Sequence, residues 1–384
     1  MRWAKTLRPA RINLARSGVA KCPPALLAIR ARDVAIDFPP GYGYLPLRKA
    51  IARRYRVGPD QVFPVSGGTS MANWIACVAA LDGGGRDKEV IVERPTYEAL
   101  VRIPEALGCR VRRLDRRFGE GYAVDLDRFR KLINRRTRLA IVSVLHNPSG
   151  ASIEPDTLTA MAEMLAEAGA SLLVDEVYLE CLFGRRTWST VHAGPNVLAT
   201  NSLTKAYGLD GLRAGWILGP AELVRKAGHV YDLLGVNSVA AGESLTLRAL
   251  ERLPLIKRRA GALLDEGLER VKEFLAGEPR LEAVVPSGGC VVFPRLPRGM
   301  DDEAFSRHLL ERYGTLVPPG RFFEAPGHIR LSFGIPTAQL DKGLRRLSRL
   351  LDDLGGSRPA IAVASPAARR RRPARPARSR SASR

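Results

Sequence analysis

Residues 139–175, LAIVSVLHNPSGASIEPDTLTAMAEMLAEAGASLLVD, decide the fold of this chain. An apolar run (Leu139–Leu145) leads into a turn, His146-Asn147-Pro148-Ser149-Gly150. A helical pattern follows over Asp156–Gly169, with Asp156 as a candidate N-cap and Gly169 as the stop. A second apolar run, Ser171–Asp175, closes the unit. Strands that are apolar almost throughout, with a helix between them, predict a parallel sheet covered on both faces. The alternation extends outward to Glu89–Glu93 (EVIVE), Val197–Ser202 (VLATNS) and Ala214–Leu218 (AGWIL). In such sheets a ligand sits where the loops leave the carboxyl ends of the strands.

Beyond this α/β body, residues 220–275 read as largely helical. A smaller α+β unit then follows, with apolar runs at Gly289–Pro294 and His328–Phe333 and helices at about 301–313 and 337–354. The expected division is an N-terminal arm over 1–44, a large domain over 45–265, a small domain over 266–354 and a disordered tail over 355–384. The 384 residues are 45% hydrophobic and 26% charged, which excludes wholesale disorder. No apolar run is long enough for a membrane-spanning helix.

The formal net charge of +22 invites a nucleic-acid reading, but it is concentrated at the ends. Residues 357–384 hold nine Arg and no acid, and residues 1–32 hold eight Lys or Arg and no acid, so the body between them is close to balanced. The five cysteines are scattered, odd in number and outside any C-x-x-C arrangement. They argue against a disulfide framework or a Cys-based zinc site and fit a reducing compartment. The N-terminus lacks a secretory apolar segment, and its basic, acid-free character reads as a surface arm rather than a transit peptide. A cytoplasmic protein is expected.

The carboxyl ends of the runs carry chemistry-bearing residues. Asn201-Ser202-Leu203-Thr204-Lys205 places a lysine just after a buried strand, where burial disfavours its charge. Such an amine can form a Schiff base; a solvated loop lysine is the plainer alternative. Asp175 ends the preceding run and suits a metal, an ion pair or a buried heterocyclic N–H⁺. Asn147 sits at the same edge, with His146 supporting it from behind, and Arg213 lies eight residues beyond Lys205. Upstream, Ser66-Gly67-Gly68-Thr69-Ser70 runs into a helical pattern, an arrangement that exposes N–H groups to a phosphate. No P-loop is present, and His192, His229 and His308 form no metal spacing. Trp74, Trp188 and Trp216 read as core or rim.

Together these residues suit a ligand with a phosphate, an aldehyde, a phenolic oxygen and a pyridine nitrogen. Here the chain resembles the fold-type I pyridoxal-phosphate enzymes, in particular the class I/II aminotransferases, over about residues 12–354. The motifs GYGYLPLRKAIA, SGGTS, ERPTYEAL, HNPSG, VDEVY, SLTKAYGLDGLRAGW and IRLSFG occur in that family's order. The resemblance implies a large domain with a mostly parallel seven-stranded sheet, a smaller α+β domain and a homodimer.

The resemblance also implies roles. Lys205 would hold the cofactor aldehyde and move the proton, and Asp175 would pair with the pyridine N–H⁺. Asn147 and Tyr178 would bond the phenolic oxygen, with Tyr97 stacked on the ring. Thr69, Ser70, Ser202 and Arg213 would hold the phosphate. Arg330 would grip the substrate carboxylate with a two-point fork, and Gly18 would approach that carboxylate. The reaction implied is ping-pong transfer of an amino group from an L-α-amino acid to a 2-oxo acid. A β-lyase, a decarboxylase or an amino-acid cyclase would share the same core residues. A basic-tailed binding protein on this scaffold is the non-enzyme alternative. One position departs from the family pattern: where a phosphate-bonding tyrosine is common the chain has Phe38, so either Tyr42 or Tyr44 substitutes or the contact is absent.

Overall fold

The computed structural model describes residues 9–37, 41–182 and 188–355. The arm contributes a two-residue strand, β1 (Ile12–Asn13), followed by helix α1 (Leu45–Tyr55). The large unit opens with β2 (Val62–Ser66), α2 (Thr69–Ala80), β3 (Glu89–Arg94), α3 (Glu98–Ala106) and β4 (Arg110–Asp115). It continues through α4 (Leu126–Leu132), β5 (Thr137–Ser143), α5 (Pro155–Glu167), β6 (Ser171–Asp175), β7 (Val197–Ser202) and β8 (Ala214–Leu218). Seven strands form one sheet in the order β2-β8-β7-β6-β5-β3-β4. All neighbours are parallel except β8, which runs antiparallel to both β2 and β7. This is the mostly parallel seven-stranded sheet expected from the sequence.

Its central strands are buried on both faces, which is why they read as unbroken apolar runs: β6 packs Leu172, Leu173 and Val174 with no accessible surface. The edge strand β4 (RVRRLD) escaped the sequence reading because arginines line an edge that has only one neighbour. Asp156 is not the N-cap of α5. Pro155 takes the first helical position, where its fixed φ suits the helix and its missing N–H costs nothing, so Asp156 falls in the first turn. Gly169 does stop the helix, at φ +66°.

Three helices, α6 (Ala221–Gly235), α7 (Ala240–Glu251) and α8 (Leu253–Gly277), fill the stretch read as helical. The expected division at 265/266 falls inside α8, which is continuous over 25 residues. The remaining elements are β9 (Val291–Val292), α9 (Asp302–Tyr313), β10 (Thr315–Leu316), β11 (Leu331–Ser332) and α10 (Thr337–Asp353). The runs at Gly289–Pro294 and His328–Phe333 thus yield only two-residue strands, paired antiparallel. Strand β1 pairs in parallel with β10, tying the arm to this part of the chain. All five cysteines are free and buried. The expectations for Phe38 and for a disordered tail fall outside the described residues, apart from Gly355. No described helix is long and apolar enough to cross a membrane.

Candidate active site

The sheet's carboxyl edge opens onto a cavity of about 310 Å³. Its wall includes Thr69, Ser70, Tyr97, Asn147, Asp175, Tyr178, Lys205, Arg213 and Arg330, so nine of the predicted residues meet in one place. Ser202 stands just behind, sharing a 2.7 Å hydrogen bond with Thr69 and another with Thr204. Gly18 is not on the wall. Its α-carbon lies against the Lys205 backbone, where an added Cβ would come within 2.6 Å of the Lys205 carbonyl oxygen. Ala15 and Ser17 of the same arm line the cavity instead.

Asp175 ends β6 with 5% of its surface exposed. Its Oδ1 accepts from the Val177 N–H at 3.0 Å and its Oδ2 from the Asn73 side-chain amide at 2.9 Å. Burial outweighs these bonds and pushes the carboxyl up to about 6. Asn73 comes from α2, and the Thr200 hydroxyl donates in turn to its carbonyl oxygen. Lys205, one loop beyond β7, has its amine pulled below the usual lysine range, first by burial and then by the nearby Arg330 cation. Its Nζ donates to the Ser17 hydroxyl at 2.6 Å.

Arg330 is buried. Nη1 donates to Asn147 Oδ1 at 2.8 Å, Nη2 donates to the Ala15 carbonyl at 3.1 Å, and the guanidinium lies 5.0 Å from the centre of the Phe323 ring. Where β2 ends, Gly67 and Gly68 at φ +109° and +73° turn the chain into the N-terminus of α2. The N–H groups of both glycines donate to the Arg213 carbonyl, while its guanidinium donates back to the Gly67 carbonyl. One cation and a fresh helix N-terminus therefore face one end of the cavity, as an anion requires.

A network missed in the sequence braces this edge. Glu93 at the end of β3 forms a wholly buried ion pair with Arg116 at 2.7 Å. The other Glu93 oxygen accepts from the Ser143 N–H at 2.8 Å, and the Ser143 hydroxyl accepts from the Asn147 N–H at 3.3 Å. Arg116 also donates to the Tyr122 carbonyl at 2.7 Å. His146 bonds to Ser149 at 2.6 Å and to the Pro95 carbonyl at 2.8 Å, so it pins the loop rather than Asn147 itself. The available signal was Glu93, an acid closing an apolar run as Asp175 does. Replacing Arg116 by alanine would strand the Glu93 carboxylate and is expected to destabilise the protein by about 3–5 kcal/mol. Urea unfolding measures this, and a loss below about 1 kcal/mol would contradict the bracing role.

The residues present fit pyridoxal phosphate. Tyr178 Oη and Arg330 Nε are buried with no protein partner, donors prepared for groups outside the chain. A carboxylate, an amine of lowered proton affinity and an anion-binding helix terminus surround the same cavity. Among the described residues no cluster could hold a metal ion. Tyr42, one of the two substitutes for the phosphate tyrosine, donates to Asp232 of its own chain at 2.9 Å.

Comparison with known proteins agrees. The family model described as aminotransferase class I and II matches residues 23–347. Capreomycidine synthase from Streptomyces vinaceus is 33% identical over 331 residues, covering 85% of this chain and 84% of that protein. Arginine–pyruvate transaminase AruH from Pseudomonas aeruginosa is 32% identical over 335 residues, covering 82% of each. The crystal structure of the PLP-dependent cyclase OrfR superposes with a TM-score of 0.83 at 29% identity, over 92% of this chain and 96% of that one. The chain therefore belongs to the class I and II aminotransferase family and is a pyridoxal-phosphate-dependent aminotransferase of fold type I.

Proposed function

We propose that Lys205, Asp175 and Arg330 divide the reaction among them, and that the enzyme transfers the amino group of a donor with a neutral or cationic side chain. The convergence of these three residues on one cavity carries the assignment of roles. When bound, pyridoxal phosphate supplies an electron sink that weakens the bonds at the donor's α-carbon. Arg330, held by Asn147, grips the donor carboxylate through its fork and sets which α-bond faces Lys205. Lys205, whose burial beside a cation disfavours the ammonium form, takes the α-proton and would return it to the carbon on the far side of the amino nitrogen. Asp175 would pair with the pyridine nitrogen, while Asn147 and Tyr178 would donate to the phenolic oxygen. Tyr97 would stack on the ring. Thr69, Ser70, Ser202 and Arg213 would hold the phosphate, and Gly18 lets the arm pass against the Lys205 backbone.

The donor preference rests on charge. Among the described residues, Arg213 and Arg330 are the arginines of the cavity wall, whereas Glu98 and Asp210 add two carboxylates. A second carboxylate on the donor would meet like charge, and the likeness to an arginine–pyruvate transaminase supports a basic donor. We expect kcat/KM for arginine to exceed that for aspartate by about 10-fold or more, the equivalent of one charge contact of ~1.4 kcal/mol. A donor screen following 2-oxo acid release, with ping-pong kinetics, tests both the reaction and the preference. Cyclisation of the donor is the second reading, favoured by the structural likeness to OrfR; a cyclised product without 2-oxo acid would establish it.

In this reading residues 45–265 hold the cofactor, and the arm and residues 266–354 hold the donor carboxylate. The enzyme works in the cytoplasm as a homodimer. The exposed apolar side chains Ile36, Leu233, Val236 and Val239 support the dimer.

A further inference from the structure

The N-terminal arm is fastened to both halves of the site within a few residues. On one side, the Leu14 N–H donates to the Leu316 carbonyl at 3.0 Å and the Leu14 carbonyl accepts from the Ser332 N–H at 2.9 Å. The Ala15 carbonyl then accepts from Arg330. On the other side, the Val19 N–H donates to the carbonyl of Lys205 itself at 2.8 Å, and the Cys22 N–H donates to the Gly208 carbonyl at 3.0 Å. Gly18 permits this approach because any side chain there would collide with the Lys205 backbone. Ser17 lies between these two sets of anchors and lines the cavity, so the backbone on both sides sets where its hydroxyl points. That hydroxyl meets the Lys205 amine at 2.6 Å.

We propose that Ser17 is a positioning residue for Lys205, its hydroxyl holding the amine on the arm side of the cavity whenever the amine is not covalently engaged. The inference rests on the role given to Lys205 above. A hydroxyl suits the task because it accepts from an ammonium and donates to a neutral amine, so it holds Lys205 before and after the proton moves. A carboxylate in its place would favour the ammonium and oppose proton abstraction. Because the same stretch of arm holds Arg330, the amine and the carboxylate clamp share one frame.

The test compares the wild type with Ser17→Ala and Ser17→Thr. In the cofactor-free proteins, acetic anhydride labelling of Lys205 is followed against pH by peptide mass mapping. Loss of the accepting hydroxyl should move the labelling midpoint of Ser17→Ala down by about half a pH unit or more, with Ser17→Thr staying near wild type. In the loaded enzymes, Ser17→Ala should lower kcat about 10- to 100-fold, change donor KM less than about threefold and raise the α-deuterium isotope effect. Ser17→Thr should recover most of the rate. An unchanged midpoint with kcat within about twofold of wild type would overturn the proposal, as would a loss confined to KM. If no amino acid is turned over by the wild type, the aminotransferase reading fails, while the labelling experiment still decides whether Ser17 holds the amine.

Discussion

Lys205→Ala is expected to lower turnover by about 10⁴-fold or more while leaving the fold and the cavity intact. Under the proposed roles, two functions go together in this variant: the covalent hold on the cofactor aldehyde and the base that moves the α-proton. No other lysine stands on the described wall, so nothing there can replace the covalent hold. Asp175 is committed to the Asn73 amide and the Val177 N–H, and the Tyr97 and Tyr178 hydroxyls are pushed up by burial and unready to lose a proton near neutrality. Ser17 offers only a neutral hydroxyl. Absorbance and single-turnover assays should show cofactor that is retained by the phosphate site but no longer linked to protein. Variant turnover within tenfold of wild type would remove Lys205 from its role.

Asp175→Asn should separate activity from stability. With Asp175 in its proposed role, turnover should fall by about 10³-fold, because a neutral amide would no longer favour a positive charge on the ring nitrogen. The cofactor-free variant should nevertheless be more stable than the wild type at pH 8. Burial raises the Asp175 carboxyl from 3.8 to about 6, so the folded chain binds this proton more tightly than the unfolded chain. Stability from this group is therefore greatest below about pH 4 and falls as pH rises through 6, for a difference of about 3 kcal/mol. Asparagine removes that penalty. Asn73 can rotate its amide to meet the new side chain, with Thr200 adjusting as a hydroxyl can. Urea unfolding at pH 8 and pH 4 should show a gain of about 2 kcal/mol that vanishes at the lower pH. A variant less stable than wild type at pH 8 would mean that Asp175 serves the fold more than the cofactor.

Both positions illustrate why parts of this site were legible early. A residue at the end of an apolar run lies at a sheet edge whatever the rest of the chain does, so Asp175, Asn147 and Lys205 could be grouped from their places in the sequence. Glu93 obeys the same rule but was passed over, because an acid at a strand end has many ordinary uses. Asn73 was harder to see: beyond Thr69 and Ser70 at its start, the helix is apolar apart from this one side chain, and only the position of α2 over β6 and β7 brings it to Asp175. The lengths of strands β9 and β11 were not legible, because an apolar run signals burial, whereas strand length depends on a partner that stays in register.

The sequence by itself determined the α/β alternation, the parallel core of the sheet, the edge on which the site lies and the residue types available there. Period and strand ends are local properties, carried within a few residues. Only the tertiary structure decided that Arg330 reaches Asn147 across 183 residues and that Ser17 reaches Lys205 across 188. It also placed Ser17, rather than Gly18, on the cavity wall. Contacts at such separations leave no local pattern, because they depend on where the arm and the C-terminal strands close against the sheet. That closure is set by the sum of many packing and backbone contacts, and no single motif encodes it.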